Sequence, residues 1–327
     1  MSKHRIGALK RLGHDIDIVD PYSFLPNTGW MARWNHRTGG FGTAPFLDAP
    51  ILQRVAVCKP DLIWINQGTL ISPGLMHHLR NTGAKIVGYI NDDLFRRGAE
   101  WMRFRLLRKA LPFYDLVAVC RLENVKEALD AGARRVERVM MSADEEIHQP
   151  RELTSEQRAK FASEVSFIGT WMPERGPFLA QLIKAEVPLS VWGSRWEKAP
   201  EWPVIESHWR GPNLDDAEYA AAILASKICI GLLSKGNRDL HTARSLEVPA
   251  LGGLLCGERT TEHMAMYQEG LEAVFWSSPQ ECAELCLGLL ADDKRRLNVA
   301  RLGHERALKN GYYNEKVLSA LIASVVK

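Results

Sequence analysis

Short apolar runs alternate with longer stretches of helical periodicity along the whole chain. Runs of this length favour buried strands, and their alternation with helices is typical of parallel sheets with helical crossovers. The candidate strands of the first half are 16–20, 62–66, 85–90, 116–120 and 136–140. Those of the second half are 165–170, 189–193, 204–208, 228–233, 254–257 and 274–276. The pattern therefore predicts an α/β protein with two doubly wound, Rossmann-like domains.

The segment 141–152 is polar, contains Pro150 and has no strong period, as expected of a linker. We place the boundary near residue 150, with a first domain at 1–150 and a second at 151–310. The closing part predicts three helices, at 279–290, 293–310 and 314–326. We expect 311–327 to return to the first domain, and a ligand cleft between the domains, where strand ends face each other.

The composition argues against a nucleic-acid-binding or membrane-spanning protein. The 327 residues are 46% hydrophobic and 25% charged with a net charge of +3, which is ordinary for a globular protein and demands no nucleic-acid partner. No stretch approaches the roughly 20 apolar residues of a membrane span, and the first residues lack the apolar core of a signal peptide. The six cysteines show no metal-binding or thioredoxin spacing, so we expect a cytoplasmic protein without a metal site.

The most informative stretch, 237–253, predicts a polar loop, a short helix from Leu240 and a glycine stop. A helix start presents unpaired N–H groups and a positive dipole end to an anion, so a phosphate could bind there. Glu247 would then lie about two turns into the helix, where its carboxylate could accept ribose hydroxyls, with Asp239 just before it. The alternative is that Arg244 and Glu247 form a surface pair and Asp239 caps the helix.

Four segments of the second half carry the motifs of a family: 165–175, 191–193, 226–230 and 244–255. Together with 269–276 and 295–303, they resemble the CgeB-like, spore-maturation branch of the group-1 glycosyltransferases. The resemblance covers 165–310, and it is looser in the first half, at 8–16, 89–93 and 142–150.

This resemblance implies the GT-B architecture, with an N-terminal acceptor domain, a C-terminal donor domain and a nucleotide-diphospho-sugar as donor substrate. It also implies transfer without a metal or other cofactor, and it suggests retention of the anomeric configuration. The acceptor would be a saccharide, a peptide or a small molecule with a hydroxyl. Domains of this kind normally begin with a strand, whereas here Met1 is followed almost at once by a helix at 3–12. We therefore expect the first strand to be absent, with poor solubility or a substituting partner strand as the consequence.

The site residues implied by the resemblance lie mostly in the second domain. Glu247 matches the ribose-binding acid, and Asp239 stands where the family has a glutamate beside the donor sugar. Arg175 is similar to the cation that holds the donor diphosphate, and Arg244 can grip phosphate oxygens with two N–H groups. The other donor-site candidates are Lys235, Arg238, Gly169, Thr170 and Thr242.

On the acceptor side, Asp92 and Asp93 end an apolar strand, where a carboxylate could orient or deprotonate an acceptor hydroxyl. The alternative is that they cap the following helix. The segment 96–109 predicts a basic amphipathic helix, which could contact an anionic membrane or simply expose a solvated face.

Two other functions stay open at this stage. Asp239 in place of glutamate and the missing strand are compatible with a non-catalytic protein that retains the fold. A sugar-nucleotide epimerase on the same fold would consume the donor without any acceptor and release free nucleotide. Donor hydrolysis in the absence of acceptor separates a transferase from a non-catalytic protein.

Overall fold

The computed structural model describes residues 2–98 and 100–326. They form two compact units, each built around its own parallel sheet. The first unit holds the chain up to Met140, the short segment Gly236–Arg238 and the chain from Val317 on. The second unit holds Met141–Lys235 and Asp239–Lys316. The expectation of an α/β fold with two parallel-sheet units is confirmed.

The sheet of the first unit has four parallel strands in chain order. They are β1 (Leu62–Asn66), β2 (Lys85–Ile90), β3 (Leu116–Val119) and β4 (Val136–Arg138). Four of the five strands predicted here are therefore confirmed. Strands β2 and β3 are almost entirely buried, which is why they read as continuous apolar runs.

Helices cover both faces of this sheet. They are α1 (Ser2–Arg11), α2 (Gly29–Thr38), α3 (Ala44–Cys58), α4 (Pro73–Arg80), α5 (Arg105–Ala110) and α6 (Leu122–Asp130). The larger apolar core joins α3, α4 and α5 to the central strands. A smaller cluster joins Ala8 of α1 and Trp64 of β1 to Leu318. Leu318 belongs to the last helix, α15 (Asn314–Val325).

The strand predicted at 16–20 is wrong: these residues form an irregular segment outside the sheet. Asp17 binds the guanidinium of Arg54, with Arg54 Nε donating to Oδ2 at 2.6 Å, and the side chain of Ile18 is 55% exposed. The alternation of apolar and acidic residues here reflects a surface segment rather than a strand. Among the described residues, β1 is the first strand along the chain.

The amphipathic helix predicted at 96–109 is also wrong. Within that span, the described residues are helical only from Arg105 on, and the preceding residues form turns. The guanidinium of Arg108 lies 3.5 Å from the centre of the Trp101 ring and donates to the carbonyls of Leu94 and Trp101. Arg108, one of the cations of the predicted basic face, therefore stabilises this turn instead of facing solvent freely.

The sheet of the second unit has six parallel strands in the order β10-β9-β8-β5-β6-β7. They are β5 (Ser163–Ile168), β6 (Leu189–Trp192), β7 (Trp209–Gly211), β8 (Ser226–Gly231), β9 (Leu255–Glu258) and β10 (Val274–Trp276). The strand order reverses between β5 and β8, so this unit is doubly wound in the manner of a Rossmann fold. Five of the six strands predicted for this half are confirmed.

The strand predicted at 204–208 is wrong, because this apolar run starts with a short helix, α9 (Trp202–Ile205). Pro203 lies in its first turn, where the missing N–H costs nothing. A 3₁₀ turn at Glu206–His208 follows, and the edge strand β7 begins directly after it.

The remaining helices belong to the second unit, apart from α15. They are α7 (Ser155–Phe161), α8 (Arg175–Lys184), α10 (Asp216–Leu224), α11 (Arg244–Ala250), α12 (Thr261–Met266), α13 (Pro279–Ala291) and α14 (Asp293–Asn310). The three closing helices, α13 to α15, are confirmed. Within the part of the chain that the structure describes, no helix is long and apolar enough to cross a membrane.

Candidate functional site

The carboxyl ends of β5 and β8 mark the point where the strand order of the second unit reverses. In open α/β sheets, ligands bind in the crevice at this position, because the loops leaving neighbouring strands go to opposite faces. The chain that follows β5 leads into α8, and the loop that follows β8 leads into α11. Most of the predicted donor-site residues lie on these two connections.

The connection after β5 packs so closely against the chain after β6 that there is no room for a side chain at the point of contact. The N–H of Gly169 donates to the carbonyl of Trp192 at 2.8 Å, and a Cβ on Gly193 would collide with the carbonyl of Gly169. Gly193 also has φ = +139°, which other residues rarely adopt. This packing fixes the carbonyl of Thr170, which accepts a hydrogen bond from Arg175 Nη1 at 2.8 Å.

Arg175 begins α8 and is 7% exposed. Its Nε is buried and has no hydrogen-bond partner among the described residues. Burial, together with the nearby charge of Arg244, lowers the pKa of Arg175 to about 10. A buried guanidinium with an unused N–H and a like charge beside it is a site that an anion would stabilise.

Arg244 is the first residue of α11, and its Nε donates to the carbonyl of Ile168, the last residue of β5, at 2.6 Å. The structure thus brings Arg175 and Arg244 together at the end of one strand. The predicted helix start at Leu240 is wrong by four residues. In place of a helix N-terminus at that residue, the fold presents two guanidinium groups.

The other predicted residues of this loop differ in what they contact. The ammonium of Lys235 pairs with the carboxylate of Glu258, and its backbone N–H donates to Glu174 at 3.1 Å. The carboxylates of Glu174, Glu258 and Asp239 all act electrostatically on Arg175. Asp239 is therefore near the arginine pair, although it precedes the helix by five residues rather than one.

Thr242 lies at the entrance to α11 and contributes backbone rather than side-chain contacts. Its N–H donates to Ser245 Oγ at 3.0 Å, and Ser245 Oγ lies 2.7 Å from His263 Nε2. Ser245 and His263 are both buried, and burial lowers the pKa of His263. The Ser245–His263 pair holds the first turn of α11 in place, so its role is structural.

Glu247, one turn further along α11, is buried and held by two neighbours that the sequence did not identify as site residues. The hydroxyl of Tyr219 donates to its Oε2 at 2.7 Å, and His148 Nε2 lies 3.8 Å from its Oε1. His148 Nδ1 accepts the N–H of Asp144 at 2.8 Å, which leaves the ring proton on Nε2, facing Glu247. Burial and the charge of Glu247 raise the pKa of Tyr219.

In the first unit, Asp92 follows the end of β2 and is bound by Gln67. Gln67 Nε2 donates to Asp92 Oδ2 at 2.6 Å, while Gln67 Oε1 accepts the N–H of Asn91 at 3.0 Å. Gln67 has φ = +61°, a strained conformation of the kind that clusters at functional sites. Burial raises the pKa of Asp92, and Arg103, whose Nη2 lies 3.6 Å away, counteracts this rise.

Asp93 has a different environment from Asp92. Its side chain is fully buried, and it accepts hydrogen bonds from the backbone of Phe95, from Asn124 and from Arg238. Burial alone would raise the pKa of Asp93, but the hydrogen bonds from Arg238 and Asn124 hold it well below its usual range. Arg238 also pairs with Glu127 at 2.7 Å. These contacts place Asp93 and Arg238 in an ion pair within the first unit.

A group of residues that could hold a metal lies apart from these positions. The sulfur atoms of Cys256 in β9 and of Cys282 and Cys286 in α13 lie within 4.8 Å of one another. All three side chains are buried in the apolar core of the second unit. Metal binding would place charged thiolates in this apolar core at a high desolvation cost, so packing accounts for them better.

Comparison with known proteins supports the fold and the class. Residues 175–323 match the model of a glycosyl transferase-like family. HepE of Anabaena in complex with UDP is 14% identical, with a TM-score of 0.64 over 85% of this chain and 82% of that chain. Sucrose-phosphate synthase from Thermosynechococcus elongatus is also 14% identical, with a TM-score of 0.63 over 87% and 77% of the two chains.

A third similar structure, from E. coli, is described as trehalose-6-phosphate bound with UDP-2-fluoro glucose. It is 13% identical, with a TM-score of 0.64 over 99% of this chain and 95% of that chain. Comparison with curated proteins gives no match. The expected enzyme class, glycosyltransferase, is the class of the matched family. The two parallel-sheet units therefore have the GT-B fold, and residues 175–323 are similar to a glycosyl transferase-like domain.

Proposed function

We propose that this protein transfers a sugar from a nucleotide-diphospho-sugar to a hydroxyl of an acceptor, with its donor site at the carboxyl ends of β5 and β8. The observation that carries the proposal is the arginine pair. Arg175 and Arg244 meet at the end of β5, and Arg175 is buried with one N–H unused among the described residues. A diphosphate supplies both the charge and the hydrogen-bond acceptors that this pair needs.

The reaction would break the bond between the anomeric carbon and the diphosphate oxygen, and the bonding electrons would leave with the diphosphate. The two guanidinium groups would stabilise the negative charge that develops on it. They would take the part that a divalent metal plays in other transferases, so we propose transfer without a metal. Chelation of metal ions should then leave the rate unchanged.

Glu247 would accept two hydroxyls of the ribose. Its carboxylate is already oriented by Tyr219 and His148, so little side-chain entropy would be lost when the nucleotide binds. We further propose that Gly169, Thr170 and Thr242 line the donor site, where hydrogen bonds within the fold fix their backbone.

On the acceptor side, we propose Asp92 as the carboxylate that orients the acceptor hydroxyl and takes its proton, leaving the acceptor oxygen to bond to the anomeric carbon. Its support is the raised pKa and the strained Gln67 that fixes it. We also propose retention of the anomeric configuration and membership of the CgeB-like branch, and both rest on the motifs in 165–175 and 244–255. Proton NMR of the first product formed distinguishes retention from inversion.

The first experiment measures the thermal shift produced by UDP, GDP, ADP, CDP and TDP on the wild type and on two variants, Arg175→Met and Arg244→Gln. UDP comes first, because similar structures contain UDP or a UDP-sugar. We expect each variant to lose about ten-fold or more in affinity, since a hydrogen bond to a charged group contributes about 1.5–3 kcal/mol. Arg210→Gln removes an exposed charge from the same unit and should leave binding unchanged.

Stability without ligand separates a functional arginine from a structural one. Because Arg175 is buried beside a like charge, Arg175→Met should keep or raise the midpoint of thermal unfolding while it abolishes the nucleotide shift. A lowered midpoint together with an unchanged nucleotide shift would refute the donor site. Binding without donor hydrolysis or transfer would favour the non-catalytic protein over the enzyme.

A further inference from the structure

The first unit exposes an unusual number of large aromatic side chains within one short stretch of chain. Two are the indoles of α2, Trp30 at 60% and Trp34 at 45% exposure, and two are phenyl rings that follow it, Phe41 at 58% and Phe46 at 54%. Singly exposed apolar residues are normal, but a contiguous group marks an interaction surface. We call these four residues the aromatic patch.

The geometry of α2 groups three members of the aromatic patch. Trp30 and Trp34 are four residues apart and so lie on the same side of the helix. The indole N–H of Trp34 donates to the carbonyl of Phe41 at 3.0 Å, which brings the chain after α2 back against the helix. The fold therefore holds these three members together, and the fourth, Phe46, follows in the first turn of α3.

Positive charge surrounds the aromatic patch. From Pro21 to Leu47, the sequence contains Arg33 and Arg37 and no aspartate or glutamate. The guanidinium of Arg105 lies 5.1 Å from the centre of the Phe41 ring.

The turn segment before α5 adds further cations, and the backbone of Arg103 packs against the end of α2 at Gly39. Arg96 and Arg97 are exposed, and Arg103 is half-buried. The acidic residue of this turn that the structure describes, Glu100, lies 3.2 Å from Arg103 and 3.9 Å from His36. Arg103 also faces Asp92 at 3.6 Å, so the positive charge around the patch comes from Arg33, Arg37 and Arg105.

We propose that this surface docks the protein on an anionic lipid bilayer, with the aromatic patch at the level of the headgroups. Indole and phenyl rings that stand out from a short helix beside arginines are suited to the interface, where the rings leave water and the cations meet lipid phosphates. The contact would come from α2 and its surroundings rather than from an amphipathic helix at 96–109. The proposal concerns the first unit alone and does not depend on the donor site.

The test is co-sedimentation of the whole protein with vesicles of phosphatidylcholine, with and without phosphatidylglycerol. We expect binding to vesicles that contain phosphatidylglycerol, and weaker binding at higher salt. Arg33→Gln with Arg37→Gln should lower the partition coefficient roughly twenty-five-fold, since each cation near such a surface contributes about five-fold. Trp30→Ala with Trp34→Ala should lower it about ten-fold or more.

The control is Leu297→Ala with Leu308→Ala, which removes two exposed apolar side chains of α14 in the second unit and should leave binding unchanged. Trp30→Ala alone keeps the bond between Trp34 and Phe41, so it separates loss of docking from loss of local structure. No binding to either vesicle, equal binding to both, or binding that survives all α2 variants would each overturn the proposal. A transferase assay with a soluble acceptor should be unaffected by these variants.

Discussion

Glu247 illustrates what a single residue can and cannot reveal before the fold is known. Its distance of eight residues from Asp239 was visible in the sequence, and so was its place within a short helix. Tyr219 and His148, which fix its carboxylate, lie far away in the chain and carry no local signal. Asp93 and Asp92 could not be told apart before the fold was known, because they are adjacent identical residues. In the structure, Asp93 is bound to Arg238 and Asp92 to Gln67.

Glu247→Gln keeps the shape of the side chain but removes its charge, and we expect it to weaken nucleotide binding about ten-fold or more. Tyr219→Phe removes one hydrogen bond that orients the carboxylate. Its loss of nucleotide affinity should be several-fold smaller than that of Glu247→Gln. Calorimetric titration with the nucleotide that binds best measures both. If Tyr219→Phe proved as damaging as Glu247→Gln, the tyrosine itself would be the ligand contact.

Asp92 gives a pH prediction for the transfer rate. A base must be deprotonated, and burial raises the pKa of Asp92, so the rate should fall on acidification at a pH above the ordinary aspartate pKa of about 4. Gln67→Ala removes a hydrogen bond that lowers this pKa and should move the acidic limb to higher pH. Asp130→Asn, an exposed acid of the same unit, should leave the pH–rate profile unchanged.

Among the elements, the buried strands were predictable and the exposed segments were not. Strands β2, β3, β5 and β8 are covered on both faces and so appear as apolar runs in the sequence. At 16–20 and 204–208, apolar residues alone could not distinguish a strand from a surface segment or a short helix. The start of α11 at Arg244 was missed because it lacks a side-chain cap that would mark it in the sequence.

The close approach of the β5 and β6 ends leads to a prediction about stability. Gly193→Ala introduces a backbone strain and a collision with the carbonyl of Gly169, and it should lower the free energy of unfolding by several kcal/mol. Gly211 has a φ of +152°, similar to the +139° of Gly193, but the Cβ of an alanine there would meet only Trp192, at 4.0 Å. Gly211→Ala is therefore the matched control. Urea denaturation should therefore show the larger loss for Gly193→Ala, and equal losses would mean that strain alone matters.

At the scale of the whole molecule, the pair of Asp93 and Arg238 links stability to pH. Because the folded pKa of Asp93 lies below its unfolded value, the ionised carboxylate stabilises the fold above about pH 4, and this contribution is lost as the pH falls. Asp93→Asn should thus be less stable than the wild type at neutral pH, by about 2 kcal/mol or more. Urea denaturation at a series of pH values should show this gap narrowing on acidification, and a constant gap would contradict the assignment.

The chain passes from one unit to the other four times, after Met140, Lys235, Arg238 and Lys316. The segment Gly236–Arg238 places Arg238 against Asp93, and the part of α15 from Val317 on places Leu318 against Ala8 and Trp64. This path has an evolutionary consequence. A genetic exchange of the halves at Met140 between two related genes would separate Asp93 from its arginine and Trp64 from its covering helix. New donor specificities should therefore arise by substitution within a lineage more readily than by shuffling of halves.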